Sequence, residues 1–266
     1  MSSIMEHIDQ TTILSLLGVV AILLSSYILS VRVLSPTTPS SLRILFIWHF
    51  FDFLIHTIFE GSFLYNCFFS RVPFDSSIAH PVALSNFLGT SEYVYGAQYA
   101  DNWASKLWMV YAQADRRWAG ADLTVVSLEL LTVLGAGPLA LWICWGIVRK
   151  DWRVNFGWWC LLRENYMVVC LWISPVSQII RECGLTMYMW IIGFMTFAPE
   201  WLIGCKNLDT SNFMFKWVYL VFFNTLWVFL PIYAMYVAFY DIGNAMKLRN
   251  GVINAKVEMM KREKKN

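Results

Sequence analysis

The chain has 266 residues, of which 58% are hydrophobic, 17% aromatic and only 14% charged, with a formal net charge of +2. Such a balance excludes an ordinary soluble domain and points to an all-α integral membrane protein. With no Walker loop, no dinucleotide-type glycine cluster and no aromatics interleaved in its basic tail, the sequence also argues against nucleotide chemistry and nucleic-acid partners.

Apolar runs long enough to cross a ~30 Å hydrocarbon core occur at 11–31, 42–69, 123–148, 166–197 (interrupted) and 216–240. They predict five transmembrane helices. The first run follows Glu6 and Asp9 rather than basic residues and exceeds a signal-peptide core, so it reads as an uncleaved helix. Arg32 and Arg43, then Arg149, Lys150 and Arg153, then the Lys/Arg-rich tail after Asp241, fall on one side of a five-span chain. The positive-inside rule places the N-terminus in the lumen and the C-terminus in the cytosol. The whole chain, 1–266, reads as one membrane domain with its core at 42–231 and a basic cytosolic tail at 242–266.

Between the first two helices, Pro36 and Pro39 among serines and threonines mark a short turn. The second helix carries His49, Asp52, His56 and Glu60 among Phe, Trp, Leu and Ile. At ~100° per residue these four lie in one stripe roughly 80° wide. Leaving them in lipid is costly, so the stripe faces a bundle interior or a wet cavity. The i, i+4 pairs Asp52/His56 and His56/Glu60 let one imidazole bond carboxylates on both sides, and a carboxylate on one ring nitrogen leaves the other to deliver a proton. The competing reading is a satisfied structural pair.

Residues 70–120 form a long connection that folds over the bundle, with a short amphipathic helix near Trp103–Gln113. The third helix holds Glu129, with Thr132 one turn on and Gly135, Gly137 and Pro138 beyond; small residues allow close approach and the proline frees a carbonyl. The stretch 149–215 is broken by Arg163, Glu164, Arg181, Glu182 and Pro175. On the fifth helix Asn224 and Trp227 share a face at i, i+3, an amide to orient substrate and an indole to stabilise a cation. Six scattered cysteines fit neither a disulfide framework nor a zinc site, and no cofactor is expected. A metal held by Asp52, His56 and Glu60 is a lesser alternative. Acid, base and cation-stabilising aromatic together suggest protonation of an apolar alkene, a buried carbocation, and loss of a different proton.

These residues resemble the emopamil-binding protein superfamily, the EXPERA domain. His56-Thr-Ile-Phe-Glu60-Gly61 is similar to its His-x-x-x-Glu-Gly. Leu107-Trp108 through Tyr111 and Ala114-Asp115-Arg116-Arg117-Trp118 resembles its Leu-Trp-Lys-Glu-Tyr-x-x-Gly-Asp-Ser-Arg-Tyr segment. Glu129 with Thr132, Gly137 and Pro138, and Asn224 with Trp227 and Pro231, resemble its Glu-x-x-Thr…Gly-Pro and Asn-x-x-Trp…Leu-Pro helices. The resemblance implies a five-helix endoplasmic reticulum protein with a polar cavity among helices 2, 3, 4 and 5. It implies His56, Glu60, Glu129, Asn224 and Trp227 as catalytic residues and Tyr111, Asp115, Arg117, Trp118, Thr132, Gln178 and Glu182 as substrate contacts, to which the stripe on the second helix adds His49 and Asp52. It further implies an apolar isoprenoid or sterol substrate, and a homo- or heterodimer with a homologous subunit.

The altered Ala114–Trp118 motif and the enlarged connections point away from the standard sterol, toward a fungal-type isomerase or cyclase of a polycyclic terpenoid or meroterpenoid. Two rival readings stay open: sterol Δ8-Δ7 isomerisation, and non-catalytic sterol or lipid binding like that of the sigma-2 receptor.

Overall fold

The computed structural model describes residues 10–75, 86–149 and 194–263. Among these, four helices are long and apolar enough to cross a membrane: Gln10–Val33, Ser40–Phe69, Leu123–Arg149 and Met214–Val237. We call them the first, second, third and last spans. They match four of the five expected runs, and the remaining run, 166–197, lies outside the described residues except for its last few. The first span exposes Leu14, Leu17, Leu24 and Ile28. In a bilayer such a surface meets lipid, which satisfies it as water cannot.

The turn after the first span is held by Arg43, whose guanidinium donates to the carbonyls of Ser30 (2.9 Å) and Ser35 (3.0 Å). Each carbonyl also accepts a backbone N–H, from Leu34 and Thr38 respectively, so the cation adds a second donor near the negative end of the helix. The second span packs mainly on the third, where Leu45 and Phe46 meet Ala136, Ala140 and Ile143. Small side chains on the third span let the two backbones approach.

Three π-helical segments interrupt the described spans: Ile55–Glu60 in the second, Thr132–Ala136 in the third and Met214–Phe222 opening the last. Their local causes differ. Pro138 has no N–H, and the Gly137 N–H reaches back five residues to the Thr132 carbonyl. In the last span the Asn224 amide donates to the carbonyls of Tyr219 (3.1 Å) and Leu220 (2.9 Å), across the end of the wide turns. A Cβ added at Gly137 would sit 3.4 Å from His56 Cβ, so glycine there lets the segments of the second and third spans touch.

The long connection departs from the all-helical expectation. Arg71–Pro73 (β1) pairs antiparallel with Tyr93–Tyr95 (β2), Val72 opposite Val94. Alternating Tyr-Val-Tyr suits a pleated ribbon. Gly96 follows at φ 138°, where a Cβ would meet the Gly120 Cα at 2.4 Å. The expected short helix is present at Trp103–Tyr111, started by a capping box between Asn102 and Ser105. Asn66, at the end of the second span, accepts from the Asn102 amide at 3.0 Å and ties this helix to the bundle. The last span continues as one helix to Glu263 through the basic tail.

Candidate active site

A cavity of about 760 Å³ opens beside the three π-helical segments. Its walls are mostly aromatic and aliphatic, including Phe51, Phe59, Trp108, Trp118 and Tyr219. His56, Glu60 and Glu129 reach the wall together with Thr132, and Lys216 also lines the cavity. An apolar volume of this size with a few convergent polar groups is the ordinary form of a small-molecule site.

The polar groups form one continuous chain across three spans. Trp227 Nε1 donates to Asp52 Oδ1 at 2.8 Å. That same oxygen lies 3.1 Å from His56 Nε2, an ion-pair contact without hydrogen-bond alignment. On the other side of the ring, His56 Nδ1 and Glu60 Oε2 are 2.5 Å apart. Thr132 Oγ1 then lies 2.5 Å from Glu60 Oε2 and 2.9 Å from Glu129 Oε2. One hydroxyl carries one proton and cannot donate to both carboxylates. At least one carboxyl proton therefore completes this bridge. The His56 and Trp227 ring centroids are 6.4 Å apart, and Trp48 meets the same indole edge-on at 5.7 Å.

All five residues expected to be catalytic, His56, Glu60, Glu129, Asn224 and Trp227, line the cavity, as do Tyr111, Trp118 and Thr132. Asn224 is turned differently from the expectation: its amide N–H groups serve its own helix, and its side chain shares a hydrogen bond with Tyr111. Burial, then the nearby Asp115 charge, pushes the Tyr111 phenol above its ordinary range, so it stays a neutral donor. His56 sits between two carboxylates, as its i, i+4 spacing predicts: Nδ1 bonds Glu60, and Nε2 lies beside Asp52 without an aligned hydrogen bond.

Four expected substrate contacts, His49, Asp52, Asp115 and Arg117, are buried but do not line the cavity. Asp115 and Arg117 instead build an ion-pair network behind the wall. Arg117 Nη2 donates to Asp115 Oδ2 at 2.6 Å, its Nη1 to the Thr196 carbonyl at 2.8 Å, and its Nε lies 3.6 Å from Glu200 Oε1. Burial raises the Asp115 carboxyl above its usual range, and the guanidinium opposes that rise. Two backbone bonds, Arg116 N to Asn207 O (3.0 Å) and Asp209 N to Ala114 O (2.8 Å), stitch the same two segments together. Residues 194–210 thus form a strap whose inner face, through Phe197, Trp201 and Leu208, closes part of the cavity. Gln178 and Glu182 lie outside the described residues.

Sequence reasoning missed two contributors. The first span supplies Thr12, Ser15, Leu16 and Val19 to the cavity, and the only hint was a polar start to an otherwise apolar run. Glu200 is the acid that completes the strap, and nothing in a Pro-Glu dipeptide predicts a partner so far along the chain. Among the described residues, no three His, Cys, Asp or Glu side chains are disposed to hold a metal ion.

Comparison with known proteins gives this geometry a family. The chain is 24% identical over 127 residues to the mouse (Mus musculus) protein named 3-beta-hydroxysteroid-Delta(8),Delta(7)-isomerase, a match covering 48% of this chain and 45% of that one. The guinea-pig (Cavia porcellus) protein of the same name matches to the same extent. The rat (Rattus norvegicus) protein is 22% identical over 223 residues, covering 84% of this chain and 75% of its own length. The chain thus spans about half the length of the first two relatives and three quarters of the third. The model of the family described as EBP: EXPERA (EXPanded EBP superfamily) matches residues 103–238, which hold Glu129, Asn224, Trp227 and the strap. The chain belongs to the EXPERA family, the expanded EBP superfamily.

Proposed function

We propose that this protein is a cofactor-free membrane isomerase or cyclase that protonates a carbon–carbon double bond of a polycyclic isoprenoid. One observation carries the reading: two carboxyl groups, Glu60 and Glu129, share a threonine hydroxyl at the edge of an apolar cavity beside an indole. In the proposed step a protonated carboxyl of this pair delivers its proton to one alkene carbon, forming a C–H bond and leaving the neighbouring carbon positive. The Trp227 ring and the remaining carboxylate stabilise that charge. A carboxylate then removes a proton from an adjacent carbon, the C–H electrons become the new double bond, and the acid is regenerated. Atoms and charge balance without a co-reactant. In a cyclase, a second alkene attacks the cation before the proton leaves.

The apolar walls serve the same step, because water reaching the cation would trap it as an alcohol. The substrate class is a terpenoid or meroterpenoid. Supporting this choice, the aromatic wall includes Trp118, which stands where the family pattern has tyrosine, so the wall presents an indole instead of a phenol. The proposal includes a fifth span within residues 166–197, an endoplasmic reticulum membrane with the N-terminus lumenal, and a cytosolic tail over 242–266.

The test is lipid mass spectrometry of cells with and without the gene, complemented by wild type or Glu129→Gln. Wild type should convert an accumulating isoprenoid to a product of identical mass, and the variant should not. A product of different mass would contradict an isomerase. The second reading, sterol Δ8-Δ7 isomerisation, is favoured by the relatives' names. Rescue of a strain lacking that activity would select it, whereas failure at normal protein levels would reject it.

A further inference from the structure

Asp52 is 1% exposed and absent from the cavity wall, yet it touches two residues that line it. We propose that Asp52 is a positioning residue: this one carboxylate holds the His56 ring as a doubly protonated imidazolium and anchors the indole edge of Trp227, leaving Glu60 and Glu129 to exchange protons with substrate. The inference deepens the isomerase reading and rests on it for its mechanistic meaning. Its structural basis is independent.

The argument is one of hydrogen-bond bookkeeping. A neutral imidazole offers one N–H and one lone pair. Here Nδ1 faces Glu60 Oε2 at 2.5 Å and Nε2 faces Asp52 Oδ1 at 3.1 Å. With the bridging carboxyl proton on Glu129 and Glu60 ionised, either neutral tautomer would turn a lone pair on an acceptor oxygen in a dry interior, an arrangement low dielectric makes expensive. The doubly protonated ring gives Glu60 a directed N–H and meets Asp52 as an unaligned contact of opposite charges. Of the groups facing the ring from other spans, Thr132 donates to the same Glu60 oxygen that meets Nδ1 and links it to Glu129, and Trp227 donates to Asp52 rather than to His56.

Asp52 Oδ1 already accepts the indole N–H at 2.8 Å, which explains why its approach to Nε2 is an unaligned ion pair. Its charge, more than a directed bond, acts on the imidazole. Its directed bond acts on Trp227, fixing the ring that would face a cationic intermediate across 175 residues of chain. Two cavity features, a fixed positive imidazole and a fixed indole plane, are thereby set by a residue substrate never touches.

The experiment uses the full chain in lipid nanodiscs, with ¹⁵N-labelled histidine rings and indoles. His56 is assigned among the four histidines by loss of its signal in His56→Gln. Wild type should show both His56 ring nitrogens protonated near neutral pH. Asp52→Asn keeps an acceptor for the indole and removes the charge, so one ring nitrogen should lose its proton while the Trp227 N–H resonance stays within the hydrogen-bonded range. Asp52→Glu should retain the doubly protonated ring. Turnover, read as conversion of the isoprenoid that accumulates without the gene, should fall roughly 10-fold or more in kcat for Asp52→Asn with KM little changed.

A singly protonated ring in wild type, or a doubly protonated one in Asp52→Asn, overturns the proposal. The wild-type spectrum alone decides should a variant fail to fold. Absence of any wild-type turnover would sink the isomerase reading and leave the ring's protonation to be judged by the spectra.

Discussion

Two regions of this molecule bury charged groups, and they do so to opposite ends. Behind the strap, the Arg117 guanidinium meets Asp115, the Thr196 carbonyl and Glu200, and neither Arg117 nor Asp115 lines the cavity. Between the spans, Glu60 and Glu129 compete for one threonine hydroxyl at the edge of an apolar volume, with His56 as the nearby positive partner. The first network is closed: donors and acceptors answer one another and fix two segments of backbone. The second is open. Its protons are shared among oxygens beside a space large enough for a substrate. Burial of charge alone marks neither structure nor chemistry, and the difference lies in what the group faces.

That contrast is broken most strongly at Glu129. Glu129→Gln should lower turnover by about 10²–10⁴-fold, the usual weight of a positioned acid or base, with a near wild-type melting temperature in detergent. Comparable loss of folded protein would move Glu129 into the structural class. Arg117→Ala is the converse case. Leaving Asp115 and Glu200 buried without their cation should cost about 3–5 kcal/mol of stability, read as a fall in thermal midpoint, while the molecules that remain folded keep their turnover. A kcat collapse at unchanged stability would place the strap in the chemistry.

Gly96→Ala has a smaller effect, because its backbone sits at φ 138° and its new methyl would meet the Gly120 backbone. It should destabilise by about 1–3 kcal/mol, measurable by denaturation, and leave KM unchanged. Thr12→Val tests the least expected wall. Removing a hydroxyl from the first span should change the KM for the accumulating isoprenoid by roughly 3-fold or less, and no change in kcat is expected.

Much of the architecture was legible because hydropathy and helix period act locally. Runs of apolar residues located the spans, and the i, i+4 spacing of Asp52, His56 and Glu60 foretold that one imidazole would sit between two carboxylates. The strand pair went unread, since three-residue strands give little periodicity. So did the π-helical segments, which depend on where a neighbouring span offers room, as Gly137 does for His56. The motif around Asp115 and Arg117 was visible but its purpose was not. A linear pattern names the pair without saying that Glu200 and Thr196 arrive behind it. For the same reason the stripe alone suggests Asp52 as a substrate contact and cannot show that the indole of Trp227 claims its oxygen.

The central claim is that the cavity is built to hold a positive charge beside Glu60, Glu129 and Trp227. It is tested most directly by comparing two ligands of equal shape, a tertiary amine that is protonated at neutral pH and its neutral carbon analogue, by equilibrium binding to the purified chain. The account predicts that the cation binds at least about 10-fold more tightly, a preference worth roughly 1.4 kcal/mol, and that Glu129→Gln reduces it. Equal affinity for the two ligands would contradict it.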